Sequence, residues 1–145
     1  MLFAIKTYSF KKEERLKSRK LIETLFREGK AFSVFPYRVV YMPVDALPAG
    51  KHPVQVGFSA STRRFPHATD RNRVKRLTRE AWRLQKHQLY EQLQSQSRKL
   101  AVFLIYTDKN IQPFSTVQSK ISVILRKLAA TGEPTVPPLP PIPNY

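Results

Sequence analysis

The chain has 145 residues, no cysteine, and 26 lysines and arginines against 10 acidic residues, for a formal net charge of +16. The lack of cysteine excludes disulfides, thiolate catalysis and cysteine-based zinc sites, and no apolar run approaches the roughly 18 residues of a membrane span. Self-repulsion of so large a net charge is unfavourable unless a polyanion lies against it, which favours a nucleic acid over an anionic membrane as partner.

The first half of the chain predicts one helix and two strands. Apolar residues recur at helical spacing from Arg15 to Glu28, and Gly29 follows where a helix end favours access to positive φ. Residues 32–42 are rich in aromatic and β-branched side chains and predict one strand. Residues 54–61 alternate apolar and polar side chains and predict a second strand with one wet face. Residues 43–53, with three prolines and a glycine, predict a loop.

The second half predicts two helices around one strand. A long helix runs from about residue 70 to 93, and residues 100–106 form an apolar run that suits a strand buried on both faces. Ser115 and Gln118 have the spacing of a capping box ahead of the last helix.

The two ends of the chain are assigned outside the domain. Residues 1–14 lack the order of a secretory signal, so we expect an N-terminal extension on a cytoplasmic protein. Six prolines between residues 131 and 145 predict a proline-rich flexible tail, which leaves a domain over 15–130.

No arrangement of side chains in the sequence suits a protein-based active site. The three histidines are scattered, the carboxylates show no paired spacing, and the four glycines do not form a phosphate-binding loop. We therefore expect no catalytic residue in the protein, and the sequence leaves protein-bound metal sites unknown.

The strongest signal is the basic segment from Arg63 to Lys86, with nine lysines and arginines against Asp70 and Glu80. In a helical projection, seven polar residues share an arc of roughly 140°. This basic stripe consists of Arg71, Asn72, Lys75, Arg76, Arg79, Arg83 and Lys86. The opposite side is apolar and suits packing on a sheet. Arg73 falls at the border, and Arg63 and Arg64 precede the helix.

The charge pattern of the stripe distinguishes it from an ordinary solvated face. Such a face usually mixes signs, because opposite charges four residues apart stabilise a helix by a few tenths of a kcal/mol. Arg71, Lys75 and Arg79 instead form a like-charged series that costs a similar energy. We interpret the stripe as a surface for the phosphates of RNA or DNA.

The segment Asp70-Arg-Asn-Arg-Val-Lys-Arg-Leu-Thr-Arg-Glu-Ala-Trp-Arg83 resembles the signature of the bacterial ribonuclease P protein component. The opening Arg15-Leu-Lys-Ser-Arg-Lys, the segments near Arg38 and Val56, and the apolar strand near Phe103 follow the family's order. The likeness therefore covers residues 15–130. Two departures are Phe65-Pro66, in place of a glycine-containing loop, and Ile22, where an aromatic residue is common.

The resemblance implies an α+β fold, an α/β sandwich of the ribosomal protein S5 domain 2-like type. In it, helices pack on a mixed β-sheet with a left-handed β-α-β crossover through the basic helix, against the usual right-handed rule. It also implies a protein subunit of ribonuclease P, an endoribonuclease whose catalytic RNA removes the 5′ leader of precursor tRNA. The catalytic RNA and precursor tRNA are then the partners, Mg²⁺ is held mainly by the RNA, and no protein partner is expected.

The resemblance carries residue roles as well. Together with the stripe, it predicts RNA contacts at Arg63, Arg64, Arg71, Asn72, Arg73, Lys75, Arg76, Arg79 and Arg83. It predicts a leader-binding cleft formed by Ile22, Phe26 and Tyr41. We also expect Phe35, Tyr37 and Tyr41 to alternate onto one strand face. Aromatic rings on such a face are suited to stacking on unpaired bases.

Three other hypotheses remain open from the sequence. A ribosomal or other structural RNA-binding protein shares the charge and size and differs in its partner RNA. A DNA-binding module would insert the basic helix into the major groove. An independent nuclease would cleave precursor tRNA with Mg²⁺ in the absence of another RNA.

Overall fold

The computed structural model, which describes residues 9–47 and 52–131, has a four-stranded β-sheet at its centre. The strands are β1 (Lys30–Val34), β2 (Tyr37–Val44), β3 (Val54–Ala60) and β4 (Lys99–Tyr106), in the order β1-β2-β4-β3. The pairs β1–β2 and β2–β4 are antiparallel and β3–β4 is parallel. The mixed sheet confirms the α+β class, whereas the left-handed crossover stays a prediction of the resemblance.

Four α-helices pack on the two faces of this sheet. They are α1 (Arg19–Glu28), α2 (Ala68–Gln85), α3 (His87–Ser95) and α4 (Phe114–Ala130). The larger core lies between the sheet and the last three helices, and it buries Trp82, Leu104 and Ile124. The smaller core lies under α1, around Leu25 and Ala101. Strand β4 contributes alternate residues to both cores, as predicted for a strand that is buried on both faces.

The predicted strand over residues 32–42 is wrong, because this stretch folds as a hairpin. Strands β1 and β2 meet at Phe35 and Pro36, and Val34 pairs with Tyr37 across the turn. Proline has no N–H for a sheet ladder and favours such a turn. Strand β2 then continues through Pro43 into the predicted loop. Its pairing with β1 ends at Tyr41, whereas its pairing with β4 continues to Val44. Residues 48–51 of that loop lie outside the described residues.

The predicted wet face of β3 is also wrong over the first half of the strand. Gln55 and Gly57 are buried, while Ser59 is partly buried. The Gln55 side chain donates a 3.0 Å hydrogen bond to the Glu13 carbonyl, because the N-terminal segment covers this edge.

Three helix boundaries differ from their predictions. Helix α1 begins after Ser18, whose side chain accepts from the Leu21 N–H at 3.2 Å, and not at Arg15. The predicted long helix starts at Ala68 and breaks at Lys86 into α2 and α3. Ser115 lies inside the first turn of α4, which follows Pro113 without a side-chain cap, so the predicted capping box is absent there.

Gly29 ends α1 as predicted, but for a different reason. Its φ is −75°, so no left-handed backbone is needed. A Cβ at this position would lie 2.5 Å from the Leu25 carbonyl oxygen and 2.9 Å from the Tyr41 carbonyl oxygen. Glycine is required by the close approach of the helix end to β2.

The folded unit includes residues that the sequence assigned to an extension. Phe10 packs against the larger core, and Glu14, in a short 3₁₀ turn over Lys12–Glu14, is buried. The predicted proline-rich tail over 131–145 lies outside the described residues except for Thr131.

Candidate RNA-binding surface

Helix α2 presents the basic stripe on the side that faces away from the sheet. Its buried side consists of Val74, Thr78, Ala81 and Trp82. The hydroxyls of Thr78 and Tyr37 share a 2.6 Å hydrogen bond that ties the helix to β2. On the other side, Asn72, Arg73 and Arg76 are exposed, and Arg71, Lys75, Arg79 and Arg83 are partly buried. The structure therefore gives α2 the apolar and basic sides that the projection predicts.

Lys86 does not belong to the basic stripe, and this part of the projection is wrong. The helical path breaks at Lys86, and its side chain is buried. Its ammonium group donates to Glu14 Oε1 and to the Ser9 carbonyl, each at 2.5 Å. The charge of Lys86 is thus neutralised inside the protein.

Two arginines of the stripe have partners within the protein. Arg71 donates through Nη1 to the carbonyls of Phe65 and Pro66, at 2.8 and 2.9 Å. Arg83 pairs with Glu80, and its Nε donates to Glu80 Oε1 at 3.2 Å. Arg71 therefore fixes the preceding loop on α2, and the negative charge of Glu80 lies beside Arg83.

Arg63 and Arg64 are exposed in the loop between β3 and α2. Their backbone N–H groups donate to Ser61 Oγ at 3.1 and 3.4 Å. Phe65 is buried beyond them, with its ring centroid 6.0 Å from that of Tyr106. The Phe65-Pro66 departure from the family pattern therefore gives this loop an anchor in the core.

The α1 side of the sheet carries a partly exposed apolar patch. Phe26 is 47% exposed, and its ring centroid lies 5.2 Å from that of Phe103 on β4. Ile22 and Phe103 both pack on the smaller core under α1. We call Ile22, Phe26 and Phe103 the α1 patch.

Tyr41 is not part of the α1 patch, so the structure does not bring together the predicted cleft of Ile22, Phe26 and Tyr41. Its side chain packs on the opposite sheet face, and its ring centroid lies 5.7 Å from that of Phe32. The predicted alternation onto one strand face holds for Tyr37 and Tyr41, which both pack on the larger core, and is wrong for Phe35. Phe35 lies in the hairpin turn and is 64% exposed, whereas Tyr37 is buried.

The sequence-based prediction of this surface did not include two residues, Phe103 and Gly57. Phe103 was assigned only to a buried strand, although its position between Val102 and Leu104 places it on the α1 face by strand alternation. Gly57 lies directly opposite, and a Cβ there would come within 2.6 Å of the Phe103 ring. The glycine thus makes room for the aromatic ring.

Positive charges crowd together around Arg79. Burial lowers the pKa of the Arg79 guanidinium, and the positive charges of Arg15 and Arg76 lower it further. Arg15 precedes α1 in the chain but lies near α2, because it forms a parallel bridge with Val56 of β3. This residue was also missed as a candidate contact.

The sequence profile of the Ribonuclease P family matches residues 10–129. This chain belongs to the ribonuclease P protein family. The ribonuclease P protein component of Porphyromonas gingivalis is 39% identical over 123 residues, which cover 85% of this chain and 88% of that protein. The same component of Chlorobium phaeobacteroides is 31% identical over 128 residues, which cover 83% and 88% of the two chains. The chain is accordingly a ribonuclease P subunit that takes part in tRNA processing.

Solved structures with the same fold include two ribonuclease P proteins. The protein from Thermotoga maritima is 24% identical and superposes with a TM-score of 0.62. The match covers 79% of this chain and 96% of that protein. The protein from Staphylococcus aureus is 16% identical, with 80% and 95% covered and a TM-score of 0.62. At these identities the comparison supports the fold alone.

No helix in the described part of the chain is long and apolar enough to cross a membrane. Within residues 9–47 and 52–131, no group of three or more histidine, cysteine, aspartate or glutamate side chains is placed to hold a metal ion.

Proposed function

We propose that this ribonuclease P subunit binds the catalytic RNA through the basic stripe and holds the 5′ leader of precursor tRNA on the α1 patch. Hydrolysis is assigned to the RNA with Mg²⁺ held mainly by that RNA, in the cytoplasm. The observation that carries the proposal is the division of α2, with a buried apolar side and a basic side that the protein neutralises only in part.

The stripe suits a phosphate backbone better than a protein surface. Asn72, Arg73 and Arg76 are exposed and take part in none of the three ion pairs of the described residues. Each lysine or arginine that neutralises a phosphate releases condensed counterions, which makes such binding strongly salt-dependent. Guanidinium groups also match the geometry of phosphate oxygens with two parallel hydrogen bonds. Two of the predicted contacts, Arg71 and Arg83, also bind partners within the protein.

The α1 patch suits single-stranded RNA. Unpaired bases stack on aromatic rings, for about 1 to 3 kcal/mol per base. The patch lies beside a row of residues across the α1 face of the sheet, at the end where β3 leads into the Arg63–Arg64 loop. In the strand register this row consists of Ser33, Arg38, Ile105 and Ser59.

A leader that stacks on Phe26 can therefore continue past the exposed Arg38 towards the basic loop. A single strand would follow this path with its bases on the apolar patch and its phosphates near arginines. Tyr41, on the other sheet face, is left out of this path.

A direct test compares two precursor tRNAs, one with a long 5′ leader and one without, in the complex of this protein with a bacterial ribonuclease P RNA. We expect the protein to increase the affinity for the substrate with the leader selectively. Equal gains for both substrates would contradict the leader site and would leave the family assignment untouched.

The family match decides against a ribosomal protein and against a DNA-binding module. The hypothesis of an independent protein nuclease is tested by an experiment without another RNA. Purified protein with precursor tRNA and Mg²⁺ and no other RNA should leave the substrate uncut.

A further inference from the structure

The N-terminal segment closes the outer edge of β3 and brings an additional arginine to the RNA-binding surface. The Leu16 N–H donates to the Val56 carbonyl at 3.1 Å, next to the parallel bridge between Arg15 and Val56. Arg15 itself is exposed. Its backbone position is therefore set by the sheet, although it lies 48 residues before the start of the basic segment at Arg63 in the sequence.

A buried polar network fixes the same segment at the break between α2 and α3. Glu14 accepts hydrogen bonds from the Lys11 N–H at 2.8 Å, from Lys86 at 2.5 Å and from the Tyr90 hydroxyl at 2.9 Å. Trp82 donates from its indole N–H to the Tyr90 oxygen at 3.2 Å. Paired residues of neighbouring strands face the same side of a sheet, and Val56, the partner of Arg15, is buried in the larger core with Val74 and Trp82 of α2, so Arg15 lies on the α2 side.

Arg15 then joins two arginines of the basic stripe. Arg76 and Arg79 are nearly one helical turn apart on α2, and the charges of Arg15 and Arg76 both act on the Arg79 guanidinium. None of the three ion pairs in the described part of the chain involves these arginines. Three like charges in one place cost energy until an anion lies among them.

We propose that Arg15, Arg76 and Arg79 together hold one phosphate group of the RNA backbone. The proposal rests on the RNA-binding function proposed above, and it adds a contact from outside the basic segment. Arginine suits this position because its rigid fork binds two oxygens of one phosphate, and three forks can surround the group. The contact would fix the position of the N-terminal segment relative to the RNA.

The test measures binding of full-length protein to a bacterial ribonuclease P RNA over a range of salt concentrations. The variant is Arg15→Ala, and the matched control is Arg126→Ala, which removes an exposed arginine from α4. We expect Arg15→Ala to reduce the slope of log affinity against log salt by about 0.7 to 0.9, the value for one phosphate contact. The control should leave the slope unchanged.

A second comparison tests whether the three arginines share one phosphate. If they do, the double variant Arg15→Ala/Arg79→Ala should lose less slope than the sum of the two single variants. A slope for Arg15→Ala equal to that of the wild type, or to that of Arg126→Ala, would overturn the proposal, and so would fully additive losses.

Failure of the proposed function would be recognised separately. If the wild-type protein bound ribonuclease P RNA no more tightly than a structured RNA of the same length, the assignment of the partner would fail. The effect of Arg15 on the slope could still be read on either RNA.

Discussion

The buried pair of Glu14 and Lys86 offers the sharpest test of how the N-terminal segment is held. The two side chains are 1% and 4% exposed, and the pair lies where α2 ends and α3 begins. Glu14→Gln keeps the shape of the side chain but leaves the ammonium of Lys86 buried without its counter-charge. Breaking a buried pair in this way costs about 3 to 5 kcal/mol.

This loss is large compared with the total stability of about 5 to 15 kcal/mol that is usual for a domain. For a domain of this size it corresponds to a fall in melting temperature of about 10 to 20 °C. Thermal and urea denaturation, followed by far-UV circular dichroism, would measure it. The matched control is Glu80→Gln, which breaks the pair with Arg83, whose side chains are 45% and 29% exposed. Exposed pairs contribute about 0 to 1 kcal/mol.

The same pair predicts a dependence on pH. Burial opposes ionisation of Glu14, but hydrogen bonds from the Lys11 N–H, Lys86 and Tyr90 outweigh it and hold its pKa below the ordinary value of 4.5. A carboxylate with a lowered folded-state pKa stabilises the protein above its unfolded pKa and loses this contribution as the pH falls through the folded one. The wild type should therefore keep its advantage over Glu14→Gln from pH 8 to pH 5, and the advantage should shrink below 4.5.

Two outcomes would refute this account of the pair. One is that Glu14→Gln and Glu80→Gln lower the melting temperature equally. The other is that Glu14→Gln/Lys86→Met, which leaves no buried charge, is no more stable than Glu14→Gln.

Three further predictions concern the stripe, the patch and the glycine beside it. Replacing Lys75 and Arg76 with alanine should reduce the salt slope of binding to ribonuclease P RNA by about 1.4 to 1.8, in filter-binding titrations, and an unchanged slope would count against the stripe. Phe26→Ala should weaken binding of precursor tRNA with a long leader about 5-fold to 100-fold more than binding of leaderless tRNA, as expected for the loss of one stacked base. Tyr41→Ala should show no such preference, and selectivity from it would place the leader on the other face of the sheet. Gly57→Ala should cost about 1 to 3 kcal/mol in urea denaturation, because its Cβ overlaps an aromatic ring; wild-type stability would show that the ring moves aside freely.

The elements with a clear hydrophobic period could be predicted from the sequence. The apolar run that became β4 and the stripe of α4, with Val117, Ile121 and Leu128 buried, follow directly from alternation and helical spacing. The two sides of α2 follow in the same way, because burial of an apolar face is a property of the helix itself.

Predictions failed where contacts distant in sequence decide the structure. Lys86 continues the helical charge pattern, yet it is buried because Glu14, 72 residues earlier, supplies its counter-charge. Gln55 looks like a solvated strand residue, yet the N-terminal segment covers it. No local pattern contains these partners.

The site shows the same limit. The basic stripe lies on one helix and could be predicted from spacing, whereas the α1 patch combines a helix with a strand more than 75 residues later. Tyr41 was assigned to the cleft only through the resemblance to the family, and in the structure its side chain packs on the larger core, on the sheet face opposite to α1.

We propose that this protein acts as the subunit of a ribonuclease P whose RNA performs the cleavage. Cleavage of a precursor tRNA at low Mg²⁺ by a bacterial ribonuclease P RNA, with and without the protein, tests this division of labour. We expect correct 5′ cleavage only when the RNA and the protein are both present, and no cleavage with the protein alone. Tight, salt-sensitive RNA binding without any stimulation of cleavage, or cleavage by the protein alone, would contradict it.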